Sequence, residues 1–245
     1  MTDWPSGYAY THHETIDSTN EEARRLAAAG EKGPLWITAG EQTAGRGRRG
    51  RVWESPSGNL MSTLLIQPGC AVAECAQLSF VSALASSDAV AHFAPAAEVK
   101  VKWPNDVLAD GRKISGILLE SASGGGEPYF LAIGIGINLA HFPTDTIFPA
   151  TSLAWLGVPV PPVADALTEL AACFAKWYEI WRGRGFAAVR DAWLARAANL
   201  GGRITARLQN GELAGVFEGI DETGALLLRE GAGPARTIAA GEVFF

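Results

Sequence analysis

The hydrophobic positions of this 245-residue chain follow two different periods, which divide it into a long first part and a short last part. In the first part, apolar runs typical of buried strands cover residues 35–39, 59–66, 99–103, 107–109, 112–120 and 129–137. Between them, apolar residues recur at helical spacing in residues 21–29, 74–93, 167–181 and 186–197. After Gly201 the period changes to that of strands, with turns at Asn210-Gly211 and Thr223-Gly224. The pattern predicts an α/β (α+β) domain over residues 1–198, with a mixed sheet flanked by helices, and a small β-barrel over residues 199–245 docked on it.

The first predicted helix begins at a sequence typical of a capping box, Ser18-Thr19-Asn20-Glu21. In this interpretation the Ser18 side chain caps the helix and Glu21 reaches back to the backbone. A ligand-binding role for Ser18 and Thr19 competes with capping at this point, and the two alternatives stay open.

A basic loop, Gly45-Arg46-Gly47-Arg48-Arg49-Gly50-Arg51, contains four arginines and no acidic residue in a chain whose formal net charge is -6. Planar guanidinium groups match pairs of carboxylate or phosphate oxygens, and the glycines permit close backbone approach. The loop is therefore predicted to bind an anion, although a solvated surface turn and a nucleic-acid contact are alternatives. Because the pI is near 5.3, the whole chain would be repelled by nucleic acid, which favours a small anionic ligand.

Several polar residues lie at predicted strand ends, beside glycines or turns: Ser18, Thr19, Gln42, Arg46, Arg48, Asn105, Asp106, Lys113 and Asn138. Open α/β sheets bind ligands at such strand ends. Gly116, Gly134 and Gly136 interrupt apolar strands, which indicates that some group must approach their backbone closely. A lysine opposite an arginine loop could hold a carboxylate and a phosphate together, as the joining of a carboxylic acid to a nucleotide requires.

Several other kinds of site are not predicted. The sequence contains neither GxxxxGK[ST] nor a complete GxGxxG, and His12-His13-Glu14 is better explained as surface than as a zinc site. Cys70, Cys75 and Cys173 form no CxxC pair and are predicted to be reduced, buried thiols. Because neither a signal peptide nor a membrane span is evident, a cytoplasmic protein without membrane association is expected.

Four ordered motifs together resemble those of the biotin protein ligases. They are Asp17-Ser18-Thr19-Asn20, the stretch from Gln42 to Trp53, Lys102-Trp103-Pro104-Asn105-Asp106 followed by Lys113-x-x-Gly116, and Gly134-Ile135-Gly136-Ile137-Asn138. The resemblance implies a catalytic domain like those of class II aminoacyl-tRNA synthetases and biotin ligases, plus an SH3-like C-terminal barrel. It also implies a reaction of biotin with ATP and Mg²⁺ to biotinyl-5′-AMP, followed by transfer to a lysine.

The partner implied by the resemblance is a biotin carboxyl carrier protein or domain of acetyl-CoA carboxylase or a related carboxylase. Only 17 residues precede Ser18, too few for the helix-turn-helix domain of relatives that repress transcription, so DNA binding is not expected. A homodimer is compatible with the resemblance.

The resemblance also implies a role for each matching residue. Biotin would be held by Ser18, Thr19, Gln42, Gly45, Arg46, Lys113 and Gly116. ATP and the adenylate would be held by Arg46, Arg48, Arg51, Trp53, Asn105, Lys113 and Asn138. The catalytic residues would be Lys113, Arg46 and Asp106, with Asp106 orienting the incoming lysine. No metal cage is expected from the protein, and Mg²⁺ would accompany ATP near Asn138.

Two points of the interpretation stay open. Some relatives stack adenine on a tryptophan in the segment after Asn138, and the match of Trp155 to that position is not established. The alternative functions are a lipoate ligase or a lipoyl/octanoyl transferase of related fold, and a noncatalytic biotin-binding or nucleic-acid-binding protein.

Overall fold

A mixed β-sheet is the centre of the computed structural model, which describes residues 2–123 and 128–245. Within these residues the sheet has seven strands in the order β1-β2-β3-β7-β6-β5-β4. The strands are β1 (Ala9–Ile16), β2 (Leu35–Gln42), β3 (Leu60–Ile66), β4 (Val99–Lys102), β5 (Asp106–Ala109), β6 (Arg112–Ser123) and β7 (Pro128–Ile137). Only β1 and β2 are parallel among these neighbours, so the predicted mixed sheet is confirmed.

Strand β1 was not predicted, because its sequence is mostly polar and its side chains are largely exposed at the sheet edge. The turn between β5 and β6 is the predicted two-residue hairpin: Asp110 and Gly111 both have positive φ, 49° and 73°. The glycine turn predicted at residues 124–126 lies outside the described residues.

The helices are α1 (Thr19–Ala28), α2 (Val72–Cys75), α3 (Leu78–Phe93) and α4 (Val163–Leu194). Helix α4 covers both helices predicted in the second half of the chain. Gly185, with φ 72° and ψ -178°, interrupts the helical backbone between them. The predicted helix over residues 74–93 is instead divided, with α2 ending before α3 begins. Ser18 is at the N-cap of α1 but its side chain makes no capping hydrogen bond, so the predicted capping box is wrong.

The two faces of the sheet are covered by different helices. On one face, Trp36, Leu64 and Ile133 pack with α3 and α4, and the Phe174 ring meets the edge of Trp36. On the other face, a smaller cluster joins Ile37 and neighbouring residues to Ala23 of α1. Adjacent residues such as Trp36 and Ile37 therefore serve opposite faces, as the two-residue period of a strand requires.

A second, antiparallel sheet follows, with five strands within the described residues in the order β11-β10-β9-β8-β12. The strands are β8 (Arg203–Leu208), β9 (Gly211–Ile220), β10 (Leu226–Arg229), β11 (Ala235–Ile238) and β12 (Glu242–Phe244). The turns next to the two sheets are in contact: the Trp103 indole N–H, between β4 and β5, donates to the Gly224 carbonyl, between β9 and β10, at 3.0 Å. Leu226 and Leu228 belong to the same hydrophobic core as α3 and α4. The boundary at residues 198 and 199 stays a prediction.

Candidate active site

A cavity of about 440 Å³ lies between the basic loop, strands β6 and β7, and the last strand of the second sheet. Its wall contains every predicted site residue except Gly45: Ser18, Thr19, Gln42, Arg46, Arg48, Arg51, Trp53, Asn105, Asp106, Lys113, Gly116 and Asn138. Gly45 packs behind the wall, where a Cβ would lie 2.5 Å from the Trp53 carbonyl oxygen. Residues distant in sequence are thus brought to one cavity.

One end of the cavity is lined by uncharged polar groups at the start of α1. The backbone N–H and the hydroxyl of Thr19 donate to Gln42 Oε1 at 2.9 and 3.1 Å. The Gln42 amide nitrogen donates to Ser55 Oγ at 2.8 Å, which fixes the orientation of the amide. Ser18 and Thr19 are both buried, so this end offers hydroxyl and amide groups in a site shielded from water.

The floor of the cavity is made by glycines of β6 and β7, and the Trp53 indole lies on them. A Cβ at Gly136 would fall 2.4 Å from Trp53 Cζ2, and one at Gly116 would fall 3.0 Å from Trp53 Cζ3. A Cβ at Gly134 would fall 2.4 Å from Asn20 Oδ1. The close approach predicted at these glycines is therefore present, and the groups that approach are side chains of the protein itself.

Asp106 stands between two lysines in the charged part of the cavity. Lys113 Nζ is 2.6 Å from Asp106 Oδ1, and Lys102 Nζ is 3.0 Å from Asp106 Oδ2. Burial alone would raise the pKa of Asp106, but the two cations lower it to about 2, and Lys113 has the larger effect of the two. Burial lowers the pKa of Lys102, against the opposing effect of Asp106. The carboxyl group of Asp106 is therefore ionised throughout the neutral pH range.

The basic loop is tied to carboxylates of other elements, which the sequence analysis did not foresee. Arg46 Nη2 is 2.5 Å from Glu21 Oε1 of α1 and 3.2 Å from Glu120 Oε2 of β6. Arg51 pairs with Glu242 of β12. These partners compensate much of the repulsion that four like charges in one loop would otherwise cause.

Arg48 differs from the other arginines of the loop in its surroundings. It is largely buried, and burial lowers its pKa, as does the nearby Arg49. Its Nη1 donates to Asn105 Oδ1 at 3.2 Å, close to the Asp106 carboxyl group. The structure thus places Arg48, rather than Arg46, beside the lysine and aspartate pair.

Further wall residues were missed by the sequence analysis: Asn20, Lys102, Phe148, Glu242 and Phe244. The signal for Asn20 and Lys102 was present, since both lie inside the quoted motifs. Phe148 and the C-terminal residues gave no local signal. Trp155 does not belong to the wall: it is 54% exposed and contacts Arg112. Phe148, in the same segment after Asn138, does line the cavity, and its ring centroid is 4.5 Å from Lys102 Nζ.

The donor groups of the cavity do not form a metal cage. Within the described residues there is no group of three or more His, Cys, Asp or Glu side chains able to hold a metal ion. Asn138 is buried at the end of β7 and its amide nitrogen donates to the Thr151 carbonyl at 2.9 Å. This bond leaves the amide oxygen of Asn138 as an available acceptor. No helix in the described part of the chain has the length and apolar character of a membrane span.

Two sequence profiles match the chain. That of the biotin/lipoate A/B protein ligase family matches residues 13–138, and that of the biotin protein ligase C-terminal domain matches residues 200–245. The chain is 48% identical to the biotin-acetyl-CoA-carboxylase ligase of Paracoccus denitrificans over 236 residues, or 94% of this chain and 97% of the relative. It is 32% identical to the bifunctional ligase/repressor BirA of Bacillus subtilis, covering 96% of this chain and 73% of that protein.

The fold is also similar to solved structures. The biotin protein ligase from Aquifex aeolicus in complex with biotin and ATP superposes with a TM-score of 0.82 at 27% identity, covering 96% of this chain and 97% of that one. The biotin protein ligase from Leishmania major in complex with biotinyl-5-AMP gives a TM-score of 0.68 at 26% identity, covering 96% and 100%.

Proposed function

The chain belongs to the biotin/lipoate A/B protein ligase family, and on this premise we propose that it activates biotin with ATP and transfers the biotinyl group to a carrier lysine. The first step forms biotinyl-5′-AMP and pyrophosphate. The second forms an amide with a lysine of a biotin carboxyl carrier domain and releases AMP. The observation that carries the proposal is a single cavity with an uncharged polar end and a cationic centre.

The uncharged end fits the biotin bicycle, whose ureido group needs both donors and acceptors. The buried Ser18 and Thr19 and the half-buried Gln42 offer these groups, and an unsatisfied polar group there would be costly. The glycine floor at Gly116 allows an aliphatic chain to run close to the backbone. Trp53 would shift from its present position on the glycines to cover the bound chain.

The cationic centre fits the reacting anions. Lys113 is assigned to the biotin carboxylate and the α-phosphate, since it is 26% exposed and faces the cavity beside Trp53. Arg48 supports it from the buried side, and Arg46 and Arg51 supply charge from the rest of the loop. Bringing two anions together is unfavourable, and preorganised cations lower this cost and stabilise charge that develops in the transition state.

The nucleotide would lie toward Phe148, Asn105 and Asn138. A phenyl ring is a stacking surface for adenine, and Phe148, in the segment after Asn138, offers one in the cavity wall. Asn138 supplies one amide oxygen, which fits a magnesium ion that keeps most of its ligands as phosphate oxygens and water. Such an ion would neutralise phosphate charge in the first step.

Asp106 is assigned to the second step, in which it orients the incoming amine. Its low pKa makes it a constant anion and a weak base, so its role is to accept a hydrogen bond from the amine and offset positive charge. Biotin carboxyl carrier domains are the partner class, and the cytoplasmic location and homodimer stay predictions.

The test is a reconstituted reaction in two stages. The protein is first mixed with biotin and MgATP, and pyrophosphate release and enzyme-bound biotinyl-AMP are measured by a coupled assay and mass spectrometry. A biotin carboxyl carrier domain is then added, with a variant lacking the acceptor lysine as the control. We expect pyrophosphate release and bound biotinyl-AMP in the first stage. In the second stage, the carrier that keeps its acceptor lysine should gain the mass of one biotinyl group, and the variant without this lysine should not.

The same assay separates the alternatives. Activation of lipoate or octanoate in preference to biotin would support the lipoate ligase or transferase function. Biotin binding without pyrophosphate release would identify a noncatalytic binding protein. Either result would refute the proposal.

A further inference from the structure

The two lysines that hold Asp106 differ sharply in their freedom to move. The Lys102 side chain is 5% exposed, and the Lys113 side chain is 26% exposed. Lys102 ends β4 and faces Asp106, the first residue of β5, directly across the ladder. Asp106 therefore has one carboxyl oxygen bound by a buried cation and the other bound by a cation that borders the open cavity.

The packing around Lys102 holds its ammonium group in place. The Phe148 ring centroid is 4.5 Å from Nζ, and the Phe244 ring centroid is 6.0 Å from it. A buried ammonium group is costly unless it is paired, which ties Lys102 to Asp106. Lys113 carries no such restriction, because the ligand anions offer it new partners on the cavity side.

Resting on the function proposed above, we propose that Lys102 is a positioning residue for the transfer step. It retains Asp106 Oδ2 through the whole reaction, while Lys113 leaves Oδ1 for the ligand anions when the adenylate is in place. Oδ1 is then free to accept a hydrogen bond from the amine of the carrier lysine. Lys102 is thus a permanent counter-ion of Asp106, and Lys113 is an exchangeable one.

The transfer step that Lys102 supports does not require Asp106 to take up a proton. The neutral lysine amine attacks the carbonyl carbon of biotinyl-AMP, and a C–N bond forms as the C–O bond to the phosphate breaks. AMP leaves with the electron pair, and the proton lost by nitrogen passes to solvent. Asp106 Oδ1 aligns the amine and offsets the positive charge that nitrogen acquires during attack.

The charged groups around the pair determine how its loss would change the pH dependence. Arg48 and Lys113 also face Asp106, Arg51 lies near Lys102, and Glu242 pairs with Arg51. Burial alone would raise the pKa of Asp106. Removal of Lys102 leaves Lys113 as the close partner, and this partner is the one that departs when ligand binds. The acid limb of the transfer rate should therefore move to higher pH.

The experiment measures each half-reaction in single turnover, first with biotin and MgATP and then from preformed biotinyl-AMP with the carrier domain, across pH 5 to 9. Lys102→Met removes the charge and keeps an apolar stem for the phenyl rings, while Lys102→Arg keeps the charge. Lys100→Met is the matched control, because Lys100 lies on the same strand but pairs with the exposed Glu98.

We expect Lys102→Met to slow transfer at least tenfold at pH 7, and more than it slows pyrophosphate release. Its acid limb should lie at higher pH than that of the wild type, Lys102→Arg should recover most of the rate, and Lys100→Met should match the wild type. In an Asp106→Asn background, Lys102→Met should cause no further selective loss of transfer.

Equal losses in both half-reactions with an unshifted pH profile would show a purely structural role and overturn the proposal. The proposal would also be overturned if Lys102→Arg, which keeps the charge, is folded by circular dichroism but transfers biotin as slowly as Lys102→Met. If Lys102→Met does not fold, Lys102→Gln takes its place with the same expected shift of the acid limb. A wild-type protein that forms no adenylate refutes the proposed function itself, whereas normal adenylation with transfer insensitive to Lys102 refutes this inference alone.

Discussion

Replacement of Gly134 by alanine should destabilise the protein through a side chain that is distant in sequence. Gly134 lies on β7, and a Cβ there would be 2.4 Å from Asn20 Oδ1, whereas ordinary contacts begin near 3.4 Å. Asn20 is buried, accepts a hydrogen bond from Thr63 Oγ1 at 2.6 Å and donates one to Glu120 Oε2 at 2.7 Å. The amide must therefore retreat by about 1 Å, which stretches these hydrogen bonds beyond useful length.

The magnitude follows from the hydrogen bonds that would be lost. The buried, neutral hydrogen bond from Thr63 to Asn20 contributes about 1 kcal/mol. The hydrogen bond from Asn20 to the charged Glu120 contributes about 1.5 kcal/mol, the lower end of the range for charged groups, because Glu120 is partly exposed. Replacing a strand glycine by alanine also stabilises the folded state by about 0.5 kcal/mol, because the unfolded chain loses conformational entropy. We expect a net loss of about 2 kcal/mol in the free energy of unfolding.

The assay is urea unfolding at pH 7 followed by tryptophan fluorescence, with a double-mutant cycle. In an Asn20→Ala background the clash is absent, so Gly134→Ala should change stability by less than about 0.5 kcal/mol. Gly136→Ala is the matched control: its Cβ would meet Trp53, a half-buried loop side chain that can swing outward. That variant should lose biotin affinity more than stability. The same cost of Gly134→Ala with and without Asn20 would refute the reasoning.

Three further predictions concern the charged part of the cavity. Lys113→Ala should reduce pyrophosphate release at saturating biotin and ATP by about 100-fold or more, because it removes the cation beside the reacting anions. The melting temperature should fall as well, since the buried Asp106 then keeps only Lys102 as a close partner, so the assay is run at a temperature where the variant is folded; wild-type turnover would contradict the role of Lys113. Asp106, with its pKa lowered from 3.8 to about 2, should contribute about 2 kcal/mol of stability that is complete above about pH 4 and lost as the pH falls through about 2; acid unfolding of Asp106→Asn should lack this component. If the basic loop folds over the adenylate when Arg48 and Arg51 bind it, biotin with MgATP should slow trypsin cleavage in the loop, which in the free protein should be fastest after the exposed Arg49; an unchanged cutting rate would contradict such closure.

Sequence by itself determined the type and order of most elements and the residues that meet in the cavity. Hydrophobic period identified the strands from β2 to β10 and the helices α1, α3 and α4, because burial on one or both faces leaves a repeating pattern whatever the neighbours are. The Asp110-Gly111 turn was predictable because its positive φ angles favour such residues locally. The ordered motifs placed Lys113, Asp106 and the basic loop in one site.

Tertiary structure alone decided how the charges in that site are paired. The sequence suggested a basic loop without acidic partners and, as one of two alternatives, a helix capped by Ser18 and Glu21. In the fold, Glu21 instead binds Arg46, and the distant Glu242 binds Arg51. Capping rules and charge counts are local, whereas an ion pair depends on which surfaces the sheet brings within a few ångströms.

The same limit applies to Lys102, Phe148 and the glycines of the cavity floor. Lys102 reads locally as the polar member of an alternating strand, yet pairing of β4 with β5 buries it against Asp106. Gly134 and Gly136 indicated that something approaches closely, but only the packing of α1 and the basic loop shows that Asn20 and Trp53 do so. Period and turn chemistry are properties of neighbouring residues, and side-chain partners across the sheet are properties of the completed fold.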